Sequence, residues 1–149
     1  MRYAIVCLML FGFVGCSDRS ASSPSESTLP EVVSEEHVDW SKKRPADLLE
    51  ELKRRPNSIY TIWFVPENWI TKEDVSCLMT LLDSEEPCAS TVSAISSDLG
   101  RWGSTVGHEA CFLIQGFREG RYPPELNSSR FTPNRAEIRQ WWEEFQKEH

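Results

Sequence analysis

The 149 residues carry 16 Lys and Arg against 23 Asp and Glu, a formal charge of −7. That balance excludes the basic footprint expected of a nucleic-acid binder, and it excludes charge as the means of holding an anionic membrane. Beyond the N-terminal segments about 105–110 residues are left to fold, enough for one hydrophobic core and not two.

Met1 and Arg2 open the chain, followed by an almost unbroken apolar run that ends at Phe13-Val14-Gly15-Cys16. One positive charge, about a dozen apolar residues and a small residue before an abrupt change of composition describe a secretory signal peptide. The run is well short of the roughly 20 residues needed to span a bilayer. Its end resembles the lipobox of bacterial lipoproteins, with Phe13 at the position that pattern usually gives to leucine. The resemblance implies removal of residues 1–15, a diacylglycerol thioether on Cys16, and acylation of the new N-terminus. Loss of Arg2 takes the mature charge from −7 to −8. Ser17 follows the anchor where enterobacterial lipoproteins kept in the inner membrane have Asp, so the resemblance points to the outer membrane, facing the periplasm. Residues 16–36 are the acylated N-terminus and a tether rich in Ser, Pro and Glu, with little to bury and the composition of a disordered linker. Twenty such residues span about 25 Å on average.

The domain proper is expected over 37–149, and its punctuation reads as helices. Leu48, Leu49 and Leu52 form a short stripe within 45–55, stopped by Pro56. The segment 59–65 is rich in residues that favour a strand, yet no second strand-like run is evident to pair with it, so it reads as a buried helical or extended piece. Thr71 and Asp74 make a capping-box-like start for Val75, Leu78, Met79 and Leu82 at helical spacing. A third stripe runs through Cys88, Val92, Ile95 and Leu99 to Gly100. Ser104 opens a fourth helix carrying Val106, Ala110, Leu113, Ile114 and Phe117, closed by Gly120. In the last helix Thr132 is the expected N-cap and Pro133 the first helical residue, ahead of Ile138, Trp141, Trp142 and Phe145. The expected fold is all-α, four or five helices in an array, with HEAT-like helix pairs as one form.

Candidate chemistry is sparse. His108 and Cys111 share one side of a helix and could face one metal, but zinc sites use three or four protein ligands. The simpler reading is a partly exposed His108–Glu109 pair beside a core cysteine, with no cofactor. Export permits a disulfide among Cys77, Cys88 and Cys111, and three is odd, so at most one pair forms. Cys77 and Cys88 straddle a turn, but an antiparallel hairpin offsets them by roughly 9 Å, beyond the about 7 Å a bridge allows. Cys88 with Cys111 is equally open. Of six tryptophans, Trp63, Trp141 and Trp142 fall in apolar stripes and read as core. Trp69, Trp102 and Tyr122 lie at loops, where an aromatic face could hold a sugar or a protein; Trp40 sits similarly. Folding over the core edge is the alternative for each.

These readings favour a lipid-anchored envelope module that binds a protein, in an inhibitor- or immunity-like manner, over an enzyme. An enzyme acting on peptidoglycan or lipid needs a convergent polar cluster in a pocket. A sugar-binding module needs Trp69, Trp102 or Tyr122 on an exposed, coplanar platform.

Overall fold

The computed structural model describes residues 32–34, 38–63, 65–94, 103–124 and 132–148. Their order is β1 (Val32–Ser34), α1 (Pro45–Lys53), β2 (Ile59–Ile62), α2 (Lys72–Met79), β3 (Pro87–Cys88), β4 (Ser90–Ser93), β5 (Ser104–Thr105), α3 (Val106–Glu119) and α4 (Arg135–Glu148). The expectation of an all-α array is therefore wrong, and HEAT-like pairing with it. Two small sheets accompany the four helices, and the fold is mixed α/β.

Local chemistry explains the helices. Pro45 starts α1, where its missing N–H is no loss, and the Arg44 amide donates to Asp47 at 3.0 Å. Thr71 caps α2 reciprocally: it accepts from the Asp74 amide while the Asp74 carboxylate takes the Thr71 amide at 2.9 Å. The N-cap of α3 is Thr105, one residue after the Ser104 expected to open it, and Gly120 closes it at φ 71°, a left-handed conformation suited to glycine. At α4 the Asn134 side chain accepts from the Glu137 amide, so the cap falls two residues beyond Thr132.

The strands are where local pattern misleads. β2 is central in a parallel sheet of order β1-β2-β4, with Val32 opposite Ile59 and Ser90 likewise opposite Ile59 from the other side. Its partners were hidden in two places. Val32–Ser34 lies inside the segment read as tether, so the described fold begins before residue 37. Cys88 and Val92, read as one helical stripe, belong to β3 and β4, while Ile95 and Leu99 lie outside the described residues. All four residues of β4 are buried, without the alternation that marks a half-exposed strand. Strands of parallel sheets commonly lack it. β3 pairs antiparallel with β5, Cys88 opposite Ser104.

Period-two alternation places Tyr60 and Ile62 on one face of β2, inside the core formed with Leu48, Leu52, Val75 and Leu113. Helices α1, α2 and α3 pack on one another over that face. α4 lies outside them, against α3: Trp142 and Ile138 are buried, and Trp141 is partly buried beneath the Arg118 guanidinium and edge-on to Phe117. Arg139–Asp83 and Arg135–Glu85 ion pairs hold α4 to the turn after α2. Ile59, Thr61 and Trp63 fall on the opposite face of β2. Trp63, expected in the core, is 59% exposed. No helix among the described residues is long and apolar enough to cross a membrane.

Candidate functional site

The most distinctive polar arrangement is buried. Glu109, on the first turns of α3, is only 2% exposed and reaches β4. Its carboxylate accepts the Thr91 hydroxyl at 2.5 Å and the Thr91 amide at 3.3 Å. Thr91 Oγ1 lies 3.1 Å from the Tyr122 hydroxyl. Thr91 has one hydroxyl proton, committed to Glu109, so the Tyr122 O–H is the donor of that contact. The order is therefore Tyr122 to Thr91 to Glu109. Alternation explains why Thr91 is served by a side chain. Ser90 and Ala94 donate inward to the carbonyls of Ser58 and Ile62 on β2, so the Thr91 amide points to the outer edge of the sheet. Glu109 seals that edge. Burial raises the Tyr122 phenol well above its usual range, with the Glu109 charge adding to it, so Tyr122 stays a neutral donor.

Sequence reasoning placed Glu109 in a partly exposed pair with His108, which the burial of Glu109 corrects. A signal was present: residue 109 falls on the same helical face as Val106, Ala110 and Leu113.

Tyr122 also floors a crevice. Trp69 tilts over it at 5.8 Å, Trp40 meets Trp69 edge-on at 5.0 Å, and Phe112 meets Tyr122 edge-on at 5.6 Å. The Trp69 indole N–H donates to the Lys43 carbonyl at 2.6 Å, fixing the ring. Gly116 permits this stacking, because a Cβ there would stand 2.9 Å from both the Arg121 carbonyl and the Tyr122 ring. The cavity between Pro66, Trp69, Phe117 and Tyr122 holds about 60 Å³, far below the about 300–1,000 Å³ of ligand pockets. Trp69 and Tyr122 are inclined at 35° and Tyr122 is 7% exposed. They form no open, coplanar platform, and both have folded over the core edge. Trp102 lies outside the described residues.

His108 faces elsewhere. With Asn57, Ser104 and Thr105 it lines an open groove of about 410 Å³ beside the antiparallel β3–β5 pair. The start of α3 offers that groove no spare donor in its first turn: the Val106 amide serves Glu86, Gly107 serves Ser84, and His108 serves Thr105. Cys111 is buried away in the core, so the sequence pair His108–Cys111 does not assemble. Among the described residues no group of three or more His, Cys, Asp or Glu side chains could hold a metal ion.

Cys77, Cys88 and Cys111 are free thiols, the first exposed and the others buried. Burial pushes Cys88 up to about 12, reinforced by the Glu109 charge, and Cys111 up to about 11. Neither is an activated nucleophile. Asp74 is pushed up by burial, but hydrogen bonds from Arg44 and Thr71 outweigh this and hold it below the usual carboxylate value. The Lys43 ammonium pairs with the Glu51 carboxylate, donates to the Tyr60 hydroxyl and lies over the rings of Trp40 and Tyr60. Comparison with protein-family models, curated proteins and solved structures finds no match for this chain.

Proposed function

We propose that this chain is a lipid-anchored protein of the bacterial cell envelope that works by binding another protein. The Gly15-Cys16 junction at the end of the short apolar run carries the anchoring half of that reading. The side chains above support the binding half. Glu109, Thr91 and Tyr122 are engaged with one another in the interior, whereas Trp63 is 59% exposed at the carboxyl end of the central strand. An exposed aromatic of that size is a common anchor at protein interfaces. The carboxyl ends of parallel strands are also where open α/β sheets engage their ligands.

Anchoring is tested by metabolic labelling with palmitate. The wild-type chain takes up label, and Cys16→Ser accumulates as unlabelled precursor. Equal labelling of the two removes the anchor from the proposal. Binding is tested on the mature chain in detergent-solubilised envelopes. Trp63→Ala is expected to lose a co-purifying protein while its melting temperature stays unchanged.

A further inference from the structure

We propose that the β1-facing edge of β2 is an exchange site for an extended, β-branched strand of a protein partner, occupied in this structure by the chain's own β1. The inference rests on the protein-binding reading above and names the surface that would carry it.

The two neighbours of β2 are held very differently. On the β4 side the groups of Ser58 and Ile62 accept from Ser90 at 3.3 Å and from Ala94 at 2.8 Å. Alternation then turns the amides and carbonyls of Ile59 and Thr61 toward β1. With Val33 opposite Tyr60, Val33 is the residue whose amide meets the Ile59 carbonyl and whose carbonyl meets the Thr61 amide. The described part of β1 is three residues long, and Val33 is the one whose own amide and carbonyl both face β2. Its first side chain, Val32, is 53% exposed and no part of the core cluster. β2 needs no help from β1 to stay in place, because Tyr60 and Ile62 are seated in the core and β4 binds its other side. Removal of β1 leaves the Ile59 carbonyl and Thr61 amide as a ready template for another strand.

The resident strand shows what fits: a parallel, extended segment with Val-Val at its centre. Charge shows what would displace it. Glu31, Glu35 and Glu36 flank β1 in the sequence of a chain of net charge −7, so the resident's flanks gain no net attraction from the whole. A strand flanked by Lys or Arg does. The partner segment is therefore β-branched with basic flanks.

The test uses the full mature chain and the fluorescent peptide Lys-Lys-Val-Val-Ser-Lys-Lys, read by anisotropy. Saturable binding is expected. Methylating the amide of the second valine, the counterpart of Val33, removes a ladder hydrogen bond and should weaken binding about tenfold or more. Methylating the first valine, whose amide points away from β2, should leave affinity nearly intact. Val33→Pro in the protein weakens the resident strand and should tighten binding of the parent peptide. Val33→Gly serves the same purpose if the proline variant does not fold. Equal responses to the two methylations, or unchanged affinity in a folded Val33 variant, overturn the proposal. Amide exchange adds a peptide-free check: Thr61 should exchange faster than Ile62 in the free protein, and equal protection counts against an exchangeable strand. None of these readouts depends on acylation of Cys16, so their failure is distinguishable from failure of the anchor.

Discussion

The β2–β4 pair at the centre of the parallel sheet has two edges, and they are protected by different means. At β4 the outward amide of Thr91 is closed by Glu109, whose carboxylate also takes the Thr91 hydroxyl, with Tyr122 donating behind it. All three residues are buried. At β2 the groups facing away from β4 are covered by three residues that lie within the Ser/Pro/Glu-rich segment. The first edge is closed by a carboxylate rooted in a 14-residue helix, the second by a short strand with an exposed valine. Sheet edges are liabilities that proteins must cover. A cover built from the core is permanent, and one built from a terminal segment is removable.

The sealed edge depends on α3 staying where it is, and α4 presses on α3 from outside. Trp142→Ala empties a buried site between them and should cost about 3–5 kcal/mol, read as a large drop in melting temperature. Trp141→Ala should cost less, since that ring is only partly buried under Arg118. Equal losses at both positions would mean that α4 is seated differently.

Next in size is the seal itself. Glu109→Ala leaves the Thr91 amide and hydroxyl without that acceptor, a buried deficit of about 1–3 kcal/mol in chemical unfolding. Tyr122→Phe deletes one donor to an oxygen that keeps its other bond, and about 1 kcal/mol or less should go. If Glu109→Ala is silent, water must reach this edge and the contrast between the edges collapses.

The removable edge should respond weakly. Val33→Pro deletes one ladder hydrogen bond on the β1 side of β2, so global stability should fall by about 1 kcal/mol or less, with protection lost locally at Thr61. A loss comparable to that of Trp142→Ala would show β1 to be integral.

The smallest effect is a reactivity difference that reports opening of the interior. At pH 8 a thiol reagent should modify Cys77 promptly in the native protein, because it is exposed. Cys88, pushed up to about 12 beside Glu109, and Cys111, at about 11, remain thiols at that pH. They should react only on unfolding, and Glu109→Ala should speed Cys88 more than Cys111. Prompt reaction of all three in the wild type would contradict the buried placement.

Much of the helical half was legible from residues alone. Thr71 with Asp74, Gly120, and the spacing of Ile138, Trp142 and Phe145 are local signals, set by hydrogen bonds and periodicity within one element. They placed the four described helices to within a few residues and identified Trp142 as a core residue, but they also gave a helical stripe through Cys88 and Val92, which lie in strands. The sheet was not legible in the same way. Its strands are short, lie 27 and 31 positions apart in register (Val32 to Ile59, Ile59 to Ser90), and include a serine-rich run and a piece of apparent tether. Ile59–Ile62 looked unpaired because one partner read as tether and the other as part of a helical stripe. The misplacement of Trp63 followed from the same cause. Once Ile59–Ile62 is known to be a strand, alternation sends residue 63 to the face opposite Tyr60 and Ile62. The role of Glu109 required tertiary structure as well, since a carboxylate inside a helix face makes sense only when a strand edge with an outward amide lies against it. Local propensity and capping act between neighbours in the chain and leave their record there. Parallel pairing, and the buried polar groups that close its edges, are decided between residues that meet only when the chain has folded.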